Sequence, residues 1–391
     1  MERFEYLQNQ LKDLRLRSRF RQLRPLVNSA AAVAQIAETG QRVVNFSSNN
    51  YLSIADHDKI KKEVQQAVSD FGYGSGGSRL ICGTSPTHVG IEREFADFLG
   101  FEAALLFSSG WAANQAVLKT IPQKGDLVLL DKLDHASIID GCLAGEADFR
   151  TYRKNRLDRL EKLLTESNHQ RKFIVTESVF SMDGELAPLE ELIRLRDRYN
   201  AYLIVDEAHS IGCLGRCGAG LAEQTGVLDK IDILISPLGK AFAASGAIVA
   251  GSRPVVDYLV NGARSFIYST ACSPVNCAAI LAALEVVRTE PQRRQSLCEL
   301  ASYARSELQK TGFEIGRSET YIIPVILGRD ETALKAAAKL LEDGYFVVAI
   351  RPPTVPPGSA RLRISLQADH TKAQIDGLIE SLVAFRTDNH L

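Results

Sequence analysis

The residues with most chemical potential lie near the middle of this chain. Lys240 follows an apolar run, Ile231 to Ile235, and the turn residues Ser236-Pro237-Leu238-Gly239. Around it stand Ala241, Ala243, Ala244, Ser245 and Gly246, small side chains that leave room for a flat, bulky partner. An amine short of hydration is more readily neutral, and a neutral amine condenses with an aldehyde; a surface lysine in a loop is the alternative. Upstream, Asp206 closes YLIVDEAH. A carboxylate there can pair with a protonated ring nitrogen, or simply cap the next turn. His209 follows three residues later, and His135 sits in LDHASIID, where it either stacks on a ring or is a satisfied loop histidine. Ser181, in TESVFSMDG, offers a hydroxyl or belongs to a turn. Ser108-Ser109-Gly110-Trp111 opens a helical pattern after a strand pattern. That order suits a phosphate on free amides and the helix dipole, or an ordinary helix cap.

These residues need a frame that gathers them. Strand-like runs recur at Ala103–Phe107, Leu127–Leu130, Phe173–Val175, Tyr202–Val205, Ile231–Ile235 and Ala247–Ala250, with helical patterns such as Leu157–Leu164 and Leu189–Tyr199 between them. Buried strands alternating with helices predict an α/β fold, a mostly parallel sheet flanked by helices. Ligands of such sheets bind beyond the carboxyl ends of the strands, where Ser109, Gly110, His135, Ser181, Asp206, His209 and Lys240 all fall. Downstream, a long helical segment over 278–311 leads to strand candidates Tyr321–Leu327, Phe346–Ile350 and Leu362–Leu366 and two helical patterns, a smaller α+β domain. The expected boundaries are an N-terminal helix and arm over 1–45, a large domain over 46–280 and a small C-terminal domain over 281–391. In the arm, Phe4, Leu7, Leu11 and Leu14 make an apolar stripe that must pack on something.

Other features point away from rival chemistries. The stretch FGYGSGGSRLICG has five glycines, but a helical pattern rather than a strand precedes it, so it is not a dinucleotide fingerprint. His88 and Glu92 stand four apart without a third metal ligand, so an ion pair or cap is expected and no metal. A formal net charge of -1 gives no pull toward nucleic acid or a membrane surface. Seven cysteines without CxxC pairs fit a reducing compartment better than a disulfide framework. With no membrane-length apolar run and no signal-peptide core, a cytoplasmic protein is expected.

Amine, carboxylate, imidazoles and phosphate-binding turn together suit pyridoxal 5′-phosphate (PLP). The segments YLIVDEAHSIGCLG, ILISPLGKAFAASGAIVAG, RSFIYSTACSP and IRPPTVPPGSARLRISL resemble the α-oxoamine synthases, acyltransferases of the type I PLP-dependent fold. The resemblance covers about residues 40 to 370. It implies a decarboxylative condensation of an amino acid with an acyl-CoA or acyl-carrier-protein thioester, L-alanine and a pimeloyl group being favoured over glycine and an acetyl group. It further implies that Lys240 binds the cofactor aldehyde and works as base and acid, that Asp206 holds the pyridinium, and that His209 and Ser181 flank the phenolic oxygen. His135 would stack on the ring, and Gly110 and Trp111 would take the phosphate. Ser269 and Thr270 would reach that phosphate from the second subunit of a homodimer. Arg363, or else Arg361, would clamp the substrate carboxylate, a bidentate task suited to guanidinium. Asn49 and Arg21 would lie near the acyl substrate.

One departure matters. Where the family has threonine three residues before the lysine, this chain has Pro237, with neither hydroxyl nor N–H. Ser236 is the candidate replacement. Asn50 and Ser53 are milder differences. Pro237 is also the best support for a different class of protein, a non-catalytic partner subunit that keeps the fold.

Overall fold

The computed structural model describes residues 3–389. They form two compact units. One comprises Ile54–Ser181 and Glu185–Gln295; the other comprises the chain up to Ser53, Met182–Gly184 and the chain from Ser296 onward. The N-terminal arm therefore groups with the C-terminal residues. Its strand Arg42–Asn45 pairs in parallel with Tyr345–Phe346, which explains why the first 53 residues do not stand alone.

The larger unit is built on a seven-stranded sheet. Its order is Ala103–Phe107, Ala247–Gly251, Ile233–Pro237, Tyr202–Asp206, Lys172–Glu177, Leu127–Asp131 and Asp148–Tyr152. Ala247–Gly251 runs antiparallel to both neighbours, and every other pairing is parallel. Four strands are buried along their whole length, as sheets covered on both faces require. The edge strand Asp148–Tyr152 was not expected. Its sequence, DFRTY, is polar and mostly open to solvent, so it carries no apolar run to read.

Two expected elements differ. The strand ahead of Lys240 runs Ile233–Pro237, two residues beyond the apolar run. Pro237 is tolerated because it ends the strand: the bond toward the neighbouring Ala247–Gly251 strand is donated by Leu238 to Gly246 at 2.9 Å, and the missing N–H falls on the other side, beyond the pairing of Ile235 with Asp206. The long helix is two helices, Pro274–Thr289 and Pro291–Lys310, because Glu290 precedes a proline and leaves the helical conformation.

In the other unit, Ala360–Ser365 lies between Ile322–Gly328 and Val348–Ile350, antiparallel to both. Helices Asp330–Glu342 and Lys372–Asp388 accompany this sheet, the second opened by a capping box between Thr371 and Gln374. The helix Glu5–Leu16 buries no side chain among the described residues, and Phe4, Leu7, Leu11 and Leu14 are all exposed. Its apolar stripe finds no full cover among the described residues.

Ile204 sits fully buried in the middle strand of the seven. Ile204→Ala should cost about 2–5 kcal/mol and lower the urea midpoint, since the cavity cannot collapse between flanking strands. An unchanged midpoint would contradict this packing.

Candidate active site

The register of the large sheet decides which residues meet. Glu177 and Asp206 are directly opposite across adjacent strands, and Asp206 is opposite Ile235. Pro237 is opposite Ala247, which is opposite Phe107. Ser109, His135, Asp206 and Lys240 therefore all follow strand ends at one edge.

Asp206 is buried, and both its oxygens are held at 2.9 Å, Oδ2 by the side-chain amide of Asn114 and Oδ1 by the N–H of Ala208. Asn114 lies in the helix Gly110–Thr120 and donates to Ser137 Oγ at 2.9 Å. Ser137 Oγ lies 2.7 Å from His135 Nδ1. A side-chain relay thus joins Asp206 to His135. Ser137 also donates its backbone N–H to His135 Nδ1 at 3.3 Å. A backbone N–H can only donate, so Nδ1 accepts and the neutral ring carries its proton on Nε2. Burial, helped by the charge of Lys240 and opposed by Asp206, pushes the His135 pKa down, which favours that neutral ring. The Trp111 ring meets His135 edge-on at 6.1 Å.

Lys240 enters the same electrostatic neighbourhood, since its charge acts on both His135 and Glu177. Ser181 and His209 are buried at the ends of the neighbouring strands. The loop carrying His209 is anchored by Glu207, whose carboxylate accepts the N–H groups of Leu221 at 3.0 Å and Ala222 at 2.9 Å and the hydroxyl of Ser210.

At the helix start, Ser109 Oγ caps the N–H of Ala112 at 3.1 Å, while the first-turn amides of Gly110 and Trp111 have no carbonyl a turn earlier. A Cβ on Gly110 would lie 2.8 Å from Pro237 Cγ, so glycine is required for proline to pack here. This contact settles the direction of Pro237. Side chains alternate along a strand, so Ser236 points to the opposite face, where its buried Oγ has no hydrogen-bond partner. The structure therefore does not place Ser236 as the replacement hydroxyl. Ser269 and Thr270 line a small cleft with Ser108 of their own chain.

His88 and Glu92 serve structure. His88 forms a capping box with Ser85, and Glu92 grips Arg79 at 2.8 and 3.2 Å. Among the described residues no cluster could hold a metal ion.

In the other unit, Arg361 and Arg363 are two apart on one strand and share a face. Arg361 is ion-paired with Asp183, which occupies its charge. Arg363 donates to Asn49 Oδ1 at 3.1 Å and Ser365 Oγ at 2.6 Å, with Tyr51 OH at 3.5 Å. Arg21 is exposed, and its charge helps burial lower the pKa of Arg351, a guanidinium that the sequence reading passed over. Asn114, Glu177 and Glu207 were passed over too. Glu177 and Glu207 were visible as acids at or beside strand ends, whereas Asn114 had no signal beyond its helix.

Known proteins resemble this chain over most of its length. Residues 41–382 match the family model for aminotransferase class I and II, and the chain belongs to that family, with the type I PLP-dependent fold. Its place within the family is the α-oxoamine synthases. It is 46% identical over 368 residues to 8-amino-7-oxononanoate synthase of Anaeromyxobacter dehalogenans, covering 94% of this chain and 92% of that protein. The protein of the same name from Geobacter sulfurreducens is 43% identical, covering 95% and 96%. Among solved structures, serine palmitoyltransferase of S. paucimobilis with bound PLP superposes with a TM-score of 0.92 at 30% identity, covering 98% of each chain. An 8-amino-7-oxononanoate synthase from Francisella tularensis gives 0.77 at 29%, covering 89% of this chain and 99% of that one.

The residues present fit PLP. A buried carboxylate held by two donors would suit a protonated ring nitrogen, a neutral imidazole is joined to it through Asn114 and Ser137, a helix start offers amides, and the buried oxygens Asn114 Oδ1 and Glu177 Oε1 lack protein partners. Gly110→Ala should force Pro237 aside, cost about 1–3 kcal/mol of stability and weaken PLP binding. Adding Pro237→Ala should restore most of both losses in thermal melts and PLP titrations. Equal losses in the single and double variants would refute the steric coupling.

Proposed function

We propose that this protein condenses L-alanine with a pimeloyl thioester to form 8-amino-7-oxononanoate, releasing carbon dioxide and the free thiol. The reading is carried by the Lys240–Asp206–His135 set in a chain that matches synthases of that name over nine-tenths of its length. PLP, when bound, supplies an electron sink conjugated to the amino acid Cα. The protein's residues do the rest. Lys240 would hold the cofactor aldehyde and, as a free amine, would take the Cα proton and later return it. Asp206, fixed by Asn114 and Ala208, keeps the ring nitrogen protonated. His135 would pack against the ring, His209 and Ser181 would serve its phenolic oxygen, and the amides of Gly110 and Trp111 would hold the phosphate. The new carbon–carbon bond forms as thiolate leaves the acyl group, and loss of the carboxyl group then precedes reprotonation.

Arg363 is the residue we assign to the amino-acid carboxylate, because Asn49 and Ser365 hold its guanidinium in place whereas Arg361 is matched by Asp183. Arg21 and Asn49 are assigned to the acyl substrate, with Arg351 added for the cationic pair it makes with Arg21. A homodimer is supported by the uncovered stripe on Glu5–Leu16, with Ser269 and Thr270 given to the partner's phosphate. A cytoplasmic home is supported by seven cysteines, none of them in a disulfide among the described residues.

The decisive assay follows thiol release with alanine plus pimeloyl-CoA against glycine plus acetyl-CoA. The first pair should be preferred, and Lys240→Ala should reduce turnover to background. Preference for the second pair would move the assignment to a glycine acetyltransferase. Normal turnover by the lysine variant would end the PLP reading altogether.

A further inference from the structure

Glu177 has no place in the chemistry above, yet few side chains are set so closely against it. It ends the strand Lys172–Glu177 and is the cross-strand partner of Asp206. Cross-strand partners in parallel strands share a face, about 4.8 Å apart. Two carboxyl groups are thus neighbours in a water-poor site. Glu177 is 2% exposed, and its Oε1 is buried without a hydrogen-bond partner. Asp206, by contrast, has both oxygens supplied with donors. Of two adjacent buried carboxyls, the one with fewer donors keeps the proton.

We propose that Glu177 holds a proton in the cofactor-free protein and gives it up to solvent when a protonated pyridine nitrogen settles beside Asp206, so that cofactor capture releases a proton. The proposal rests on the reading that this site takes PLP. The O–H bond of Glu177 breaks, its electron pair stays on the carboxylate, and buffer takes the proton; no other reactant is needed. The driving force is the incoming positive charge, which stabilises a second anion that burial and Asp206 otherwise disfavour.

Charged groups from every neighbouring element bear on Glu177. Asp206 comes from the adjacent strand, Lys240 follows Ile233–Pro237, and Lys154 follows the edge strand. Beyond Leu127–Asp131 lie His135, which offers its backbone N–H, and Asp134, which accepts the N–H of Glu177 at 2.9 Å and is itself buried near Asp131. Burial first, and Asp206 second, push the Glu177 pKa up to about 8, against the opposing pull of Lys240, the His135 amide and Lys154. Lys154 is already engaged by Glu185 at 3.0 Å, so it does not neutralise Glu177 outright. Below that value the acid is mostly protonated. A folded-state pKa that falls on binding means protons released, and so PLP affinity that rises with pH through the interval between the two values.

The test is calorimetric titration of PLP into cofactor-stripped protein near pH 7.5, in two non-nucleophilic buffers of different ionisation enthalpy. Wild type should release roughly half to one proton more per site than Glu177→Gln. Equal proton release by the two proteins overturns the proposal. Failure of wild type to bind PLP sinks instead the reading beneath it. Should Glu177→Gln not fold, Glu177→Asp serves. It keeps the acid but withdraws it by one methylene, so the additional release must move to lower pH, and an unmoved profile overturns the proposal.

Discussion

One buried anion organises the candidate site. Asp206 stands at a strand end with little water, and its charge is tolerated because Asn114 and the N–H of Ala208 each donate to it at 2.9 Å. A buried carboxylate without such donors would take up a proton and lose the ability to hold a cationic ring nitrogen. Asn114 is supplied by the helix that also presents Gly110 and Trp111, so one helix both orders the anion and offers amides for a phosphate. The same relay continues through Ser137 to His135, fixing the ring assigned to stack on the cofactor. Charge, ring orientation and phosphate site therefore stand or fall together.

Topology supplies the convergence. Parallel strands bring their carboxyl ends to one edge, and loops after five of them carry the polar residues. The antiparallel strand Ala247–Gly251 adds a constraint of its own. By pairing with both Phe107 and Pro237 through Ala247, it fixes the spacing between the phosphate helix and the strand that leads to Lys240. Pro237 packing against Gly110 is a direct result.

Much of this was legible in the residues. The six apolar runs are strands because each is short, apolar and bounded by turn residues, and their ends pointed to the candidate site. The edge strand was not legible, since DFRTY faces solvent on most positions. The break at Glu290 followed from Pro291 but was masked by an otherwise continuous helical pattern. Ser236 misled for a different reason. Adjacency in sequence suggested substitution for a missing hydroxyl, while the two-residue period of a strand sends it to the opposite face. Asn114 and Glu177 carry no motif, and only the register that sets them beside Asp206 reveals them.

The most direct measurement of the central claim is exchange of the alanine Cα hydrogen for deuterium in heavy water, without any thioester, in wild type and Asp206→Asn. The account predicts exchange by wild type and a loss of about a hundredfold or more in the variant, because a neutral amide no longer keeps the ring nitrogen protonated. Undiminished exchange by an Asp206→Asn protein that still binds PLP would show that this carboxylate is not what draws electrons from the breaking bond.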